Sequence, residues 1–246
     1  MLKRALLLSV VSVASATACG SDATAPAATQ PIQVERLEGL VGFEADLDSL
    51  RVVLRVPGMS AALVRDGEIA WSRGFGYADA EAEIPAMATT SFHLASLTKT
   101  VAATIIMQLV EQGLVDLEDP ITDYGIDING SGVIRVRHLM THTSEGEPGS
   151  TYRYSGARFG HLDAVIQSAA GRDFAQLLIE RILQPLRLVN TAPNVKDLVA
   201  FAQTGMNREA FMANMAKPYE LEGSLVLPAR YPSYFGTSAG LIASAG

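Results

Sequence analysis

The sequence predicts a mixed α+β fold, because a sharp strand-turn-strand signal is followed by strongly apolar helical stretches. The turn signal is Asp66-Gly67, flanked by Met59 to Arg65 and Glu68 to Gly76. Asp-Gly suits the positive φ angles of a tight type I′ turn, so the flanks predict an antiparallel hairpin. The strongest helix signal is Thr98 to Gln112, apolar with few breakers and followed by Gly113 as a stop. Ahead of the hairpin, Leu37, Leu40, Val41, Leu47 and Leu50 recur at helical spacing, although Gly39 and Gly42 weaken a helix there. Two more helical stretches run from Gly160 to Ala170 and from Asp173 to Leu183. Leu162, Val165, Ile166 and Ala169 mark the apolar face of the first; Phe174, Leu177, Leu178 and Ile182 mark that of the second. Gly171 separates the two, and Pro185 is expected to end the second.

With 246 residues, 48% hydrophobic and 18% charged, the chain reads as globular, with room for one large domain or two interleaved ones. Its formal charge of -7 argues against nucleic acid as a partner, since phosphates call for Lys and Arg. The start reads as an export signal: Lys3 and Arg4, an apolar run from Ala5 to Val13, then the small residues Ala16-Thr17-Ala18. That run is too short to span a bilayer. Cys19, the single cysteine, follows at once and resembles a bacterial lipobox, except that Ala16 stands where Leu is usual. Lipidation at Cys19 and simple secretion are both open. The chain is expected to be exported, as a periplasmic or membrane-anchored protein with a signal peptide over residues 1–18. Residues 19–34 are expected to be a tether, centred on the Ala/Thr/Pro/Ser-rich stretch from Gly20 to Pro31, and residues 35–246 the folded domain. One cysteine excludes an internal disulfide.

Ser96-Leu97-Thr98-Lys99 carries the chemistry. A serine hydroxyl needs a neighbouring base. Three residues apart on a helix, Ser96 and Lys99 share a face. A lysine packed on an apolar helix loses solvation, which favours the neutral form that can act as a base. The helix start also aims backbone N–H groups at a reacting carbonyl. The pattern is short, and a capping serine beside a surface lysine would look the same; its place at the opening of the most apolar helix favours function. Tyr154, in Tyr154-Ser155-Gly156, could move a proton if cations lower its pKa; taken alone it reads more simply as an aromatic packing on the core. Gly236-Thr237-Ser238-Ala239-Gly240 matches a nucleophile elbow, but no Asp or His follows Ser238. His93, His138, His142 and His161 show no zinc-site spacing, so neither a metal nor a cofactor is expected. His142 reads as a hydrogen-bonded structural residue.

The order of segments adds a resemblance. Val56-Pro57-Gly58-Met59, Val64-Arg65-Asp66-Gly67 and Gly74-Phe75-Gly76-Tyr77-Ala78-Asp79 come first. Phe92 to Thr100, Gln112 to Ile121 and Val136 to Ser144 follow. Pro148-Gly149 to Tyr154-Ser155 and Gln184-Pro185-Leu186 to Asn190-Thr191 complete the series. Together they resemble the class C β-lactamase-like serine hydrolases, relatives of the serine β-lactamases and penicillin-binding proteins. The resemblance implies a β-lactamase/transpeptidase-like fold: an antiparallel sheet flanked by helices, plus an all-helical domain, with the active site between. It implies Ser96 as acylated nucleophile, Lys99 as its partner and Tyr154 as general base.

Three departures stand out. Gly156 replaces the family's Asn two residues after the tyrosine, removing an amide that would hold a substrate carbonyl. Ser144 and Pro148 lie close together, which shortens one wall of the cleft. The family's Lys/His-Thr/Ser-Gly motif is absent from the 246 residues, so the sequence is expected to be a C-terminally shortened member with an incomplete sheet. The expected function is hydrolysis of a small-molecule or peptide acyl substrate through an acyl-serine: a D-alanyl peptide, an ester or a β-lactam, with the lactam disfavoured by Gly156. The competing readings are a non-catalytic penicillin-binding-like domain and an α/β-hydrolase using Ser238.

Overall fold

The computed structural model describes residues 39–231 and 236–246, all within the unit Arg36–Gly246. The expected signal peptide, Cys19 and the tether lie outside the described residues. Helix α1 (Leu40–Val53) begins at Gly39, which takes φ 93° as its N-cap, so this glycine opens the helix where the sequence suggested an interruption. Packing sustains α1: Leu40 and Leu47 lie with Trp71, Phe75, Met59 and Leu63 in one apolar cluster.

Strands β1 (Gly58–Arg65) and β2 (Glu68–Asp79) form the expected hairpin, in register from Gly58↔Gly76 to Arg65↔Glu68. Asp66 and Gly67 both take positive φ, 53° and 82°, as a type I′ turn requires. Strand β2 runs on to pair with β3 (Ile84–Pro85), completing a three-stranded antiparallel sheet. Close backbone approach dictates Gly74, where a Cβ would sit 2.0 Å from the Ala86 carbonyl oxygen.

After β4 (Phe92–His93) and a 3-10 turn (Ala95–Leu97) comes α2 (Thr98–Glu111). Its residues Ala102, Ile105, Ile106 and Leu109 are completely buried, the i, i+3, i+4, i+7 stripe of a core helix. Lys99 continues that stripe one turn towards the N-terminus. Helix α3 (Val136–Met140) joins this core, as do α4 (Gly156–Gly160), α5 (Leu162–Ala170) and α6 (Phe174–Leu178). Each fully buried Leu or Ile contributes roughly 1.5–3 kcal/mol.

Two helix boundaries differ from expectation. The stretch expected to start at Gly160 starts at Gly156, because Ser155 caps α4 by accepting the Arg158 N–H at 3.2 Å; His161 then separates α4 from α5. Pro185 does not end the later helix. Ile179–Leu183 widens into a π-helical turn, and α7 (Gln184–Leu186) follows with Pro185 in its opening turn, where a missing N–H is tolerated. The chain leaves at Arg187 with φ 55°. Asp173 and Gln176 fix the start of α6 as a capping box, with bonds of 2.8 and 3.0 Å.

Helices α8 (Leu198–Gln203) and α9 (Arg208–Ala213) build a second cluster around Phe201, Phe211 and Met215. Beyond them β5 (Tyr219–Glu222) and β6 (Leu225–Pro228) form a separate hairpin. Strand β7 (Ile242–Ala243) returns to pair antiparallel with β4, Phe92↔Ala243 and His93↔Ile242. Among the described residues no helix is long and apolar enough to cross a membrane.

Candidate active site

The β4–β7 pairing brings the late chain to the start of α2, and Ser96 lies there in the 3-10 turn. The Leu94 N–H donates to the Leu241 carbonyl at 2.8 Å. Thr98, fully buried, donates through Oγ1 to the Ala95 carbonyl at 2.6 Å and accepts the Leu241 N–H at 3.1 Å. One hydroxyl therefore ties the serine turn to the returning segment. Ala95 takes φ 45°, a left-handed conformation that costs a non-glycine residue of order 1–3 kcal/mol and is common where a site is held under strain. The turn leads straight into α2, so the Ser96 N–H belongs to the unpaired, dipole-positive end of the helix.

Ser96, Lys99 and Tyr154 meet. Lys99 Nζ donates to Ser96 Oγ at 3.0 Å and to the Ser238 carbonyl at 2.6 Å. Tyr154 OH donates to Ser96 Oγ at 2.6 Å. The lysine is only 8% exposed, and Nζ lies 5.2 Å from the Tyr154 ring centre and 5.5 Å from that of Phe159. Lys99 and then Ser96, both bonding to the phenol, hold the Tyr154 pKa below its ordinary value. Ionisation would reverse the short Tyr154–Ser96 bond: the phenolate oxygen becomes the acceptor and the serine hydroxyl the donor. The arrangement can thus collect the proton of an attacking serine.

Tyr154 is set by the segment after α3. His142 takes φ 56° and packs against the Tyr154 ring, tilted by 39° with centres 4.5 Å apart. Its Nδ1 accepts the Ser155 N–H at 3.2 Å, and its carbonyl accepts the Arg153 N–H at 2.8 Å. Burial, then the nearby Lys99 charge, lowers the His142 pKa and keeps the ring a neutral acceptor. The short Ser144–Pro148 link is tied back by the Gly149 N–H to the Thr143 carbonyl at 2.8 Å and by Arg158 to the Ser144 carbonyl at 2.9 Å. Gly156 faces the lysine: a Cβ there would lie 3.8 Å from Lys99 Nζ, an ordinary contact distance.

A cavity of about 450 Å³ opens beside these groups, lined by Ser96, Lys99, Gly156, Gly160, Asp163 and Ser238 among others. Sequence reasoning missed three contributors. Thr98 was visible only as the first residue of the expected helix. Ser238 had been weighed as a nucleophile, yet its backbone carbonyl is what binds Lys99, and its Oγ lies 3.6 Å from where a Gly160 Cβ would be. Asp163, in the first turn of α5, accepts the Thr237 N–H through Oδ1 at 2.9 Å, and burial raises its pKa. His138 accepts the Arg135 N–H at 3.1 Å to open α3, away from Ser96. Among the described residues no group of three His, Cys, Asp or Glu side chains could hold a metal ion.

Residues 43–246 match the family model described as Beta-lactamase. The chain is 23% identical over 205 residues to protein flp of Staphylococcus aureus, covering 69% of this chain and 39% of that protein. In three dimensions it is similar to the octameric penicillin-binding protein homologue from Pyrococcus abyssi, with a TM-score of 0.74 and 22% identity over 84% of this chain and 54% of that one. The D-alanine carboxypeptidase AmpC from Burkholderia cenocepacia gives a TM-score of 0.71 at 24% identity, over 85% of this chain and 61% of the other. The fold is therefore β-lactamase/transpeptidase-like. The chain spans about two fifths of its curated relative and between half and two thirds of these two structures.

Proposed function

The chain belongs to the beta-lactamase family, whose members are serine hydrolases, and on that premise we propose that it is an exported hydrolase of amide or ester bonds working through acyl-Ser96. One observation carries this reading: Ser96 Oγ lies 3.0 Å from Lys99 Nζ and 2.6 Å from Tyr154 OH, beside a cavity. Tyr154, ionised under the influence of Lys99, takes the serine proton as Ser96 attacks the carbonyl. The Ser96 N–H, at the positive end of α2, receives developing charge on the carbonyl oxygen. The leaving group takes a proton back from Tyr154. Water, activated by the same phenolate, then releases the acid and restores the serine.

Peptides and esters fit better than β-lactams, because Gly156 offers no amide opposite Lys99 to hold a lactam side chain. The same gap favours a second reading, a ligand-binding domain that is acylated but does not turn over. Hydrolysis of a p-nitrophenyl ester, a D-alanyl-D-alanine peptide and a chromogenic cephalosporin by the full chain decides between them. Steady hydrolysis of the ester or peptide that Ser96→Ala abolishes supports the hydrolase. A single stoichiometric burst supports the binding domain, and full activity in Ser96→Ala rejects both.

A further inference from the structure

Ala95, the strained residue ahead of the nucleophile, is held on both sides by side chains that the acylation chemistry does not use. Its carbonyl accepts the Thr98 hydroxyl at 2.6 Å, and its N–H donates to His93 Nδ1 at 3.2 Å. A side-chain acceptor bonded to the backbone N–H two residues on is the geometry that Asn or Asp supplies in an Asx-turn. Here an imidazole supplies it, beside a non-glycine residue at φ 45° directly before Ser96. The peptide between Leu94 and Ala95 is thereby tied at its oxygen to the Leu97 N–H, at 3.0 Å, and at its nitrogen to His93. His93 is itself fixed by β4, where it pairs with Ile242 of β7. Burial, then the charge of Lys196, lowers its pKa. Ile242 opposite carries no charge, so Lys196, just ahead of α8, is the cation that acts on the ring.

We propose that His93 is a positioning residue: its neutral imidazole, as acceptor for the Ala95 N–H, holds the turn that presents Ser96, and protonation of Nδ1 releases that turn and switches acylation off. This role rests on the acyl-Ser96 reading. A protonated Nδ1 is a donor, so two N–H groups would then oppose each other across 3.2 Å. Because the His93 pKa lies below the ordinary histidine value, the ring stays neutral at and above that value, and acylation is lost only on its acid side.

The test measures kcat and KM for p-nitrophenyl acetate from about pH 4.5 to 8 with the full chain as wild type, His93→Asn and His93→Leu. Asn offers Oδ1 to the Ala95 N–H and takes up no proton; Leu is similar in bulk and accepts nothing. At the alkaline end His93→Asn should keep kcat within about threefold of wild type, while His93→Leu, leaving the Ala95 N–H unpaired, should lose about 5- to 160-fold in kcat with KM little changed. Towards acid, wild type should show a falling limb that His93→Asn lacks. Equal losses in the two variants, an active His93→Leu, or wild type and His93→Asn falling together with pH overturns the proposal and leaves the acyl-Ser96 reading standing. Should circular dichroism show His93→Leu unfolded, the pH comparison with His93→Asn decides alone. If Ser96→Ala hydrolyses the ester as fast as wild type, that reading has failed instead, and amide hydrogen exchange at Ala95 decides the hold on the turn. Protection in wild type and His93→Asn but not in His93→Leu supports it; no protection in wild type, or equal protection in all three, overturns it.

Discussion

Replacing Lys99 with methionine separates the roles assigned to its charge. Methionine fills a similar volume and suits the apolar stripe that Lys99 shares with Ala102, Ile105 and Leu109. Four things are lost: the bond to Ser96 Oγ, the bond to the Ser238 carbonyl, the bond to the Tyr154 phenol and the positive charge above its ring. At the 5.2 Å separation from the ring centre, a unit charge attracts the phenolate by about 1–3 kcal/mol, taking an effective dielectric between about 80 and 20. Tyr154 is half exposed, which places the effect towards the lower end. Losing that attraction slows acylation about 5- to 160-fold, and general acid–base losses at such sites reach about 10²–10⁴.

The direction with pH follows. Tyr154 has its pKa lowered, so in wild type the rate of labelling by a fluorophosphonate rises with pH below the ordinary phenol range. In Lys99→Met the rising limb moves to higher pH, towards that range. The orphaned Ser238 carbonyl adds an independent cost of about 1–3 kcal/mol in stability. The assay is the second-order labelling rate from pH 5 to 10 with unfolding followed by circular dichroism. A Lys99→Met rate within about threefold of wild type, with the pH limb unmoved, would refute the assignment of Tyr154 activation to Lys99.

Gly156→Asn should fold with stability within about 0.5 kcal/mol of wild type, because its Cβ meets Lys99 Nζ at 3.8 Å, and it should raise the rate of acylation by penicillins; an unchanged rate would show that the amide does not reach the ligand. Gly74→Ala should lose at least about 1–3 kcal/mol in urea unfolding, since its Cβ would stand 2.0 Å from the Ala86 carbonyl oxygen. The lipobox reading of Cys19, which the sequence leaves open beside simple secretion, predicts that Cys19→Ser, expressed with its leader, loses incorporation of radiolabelled palmitate and leaves the membrane fraction; full retention of both removes that reading.

Local chemistry was legible in the sequence where one short segment decides the structure. Asp66-Gly67 needs only its own φ angles, and α2 needs only its buried stripe, so both were read correctly. Ser96 and Lys99 share one helical turn and could be paired on spacing alone. Tyr154 could not be joined to them that way; the ordered resemblance suggested it, and the hydrogen bond of 2.6 Å is a tertiary fact. The β4–β7 pairing, the Thr98 bridge and the Ser238 carbonyl depend on contacts between segments far apart in the chain, which periodicity does not encode. Asp163 looked like an ordinary first-turn acid of a helix, and nothing local distinguishes it from a solvated one. Pro185 was misread because a proline signals a helix end unless a wider turn ahead of it frees the geometry, as the π-helical Ile179–Leu183 does.

The central claim is that Ser96 is an activated nucleophile. Intact-protein mass spectrometry of the full chain and its Ser96→Ala variant, after exposure to a fluorophosphonate and to a penicillin, tests it most directly. The account predicts one covalent adduct on the wild type, mapped to the peptide containing Ser96, and none on the variant. A folded wild type that takes up no adduct, or a variant that is labelled equally, would contradict it.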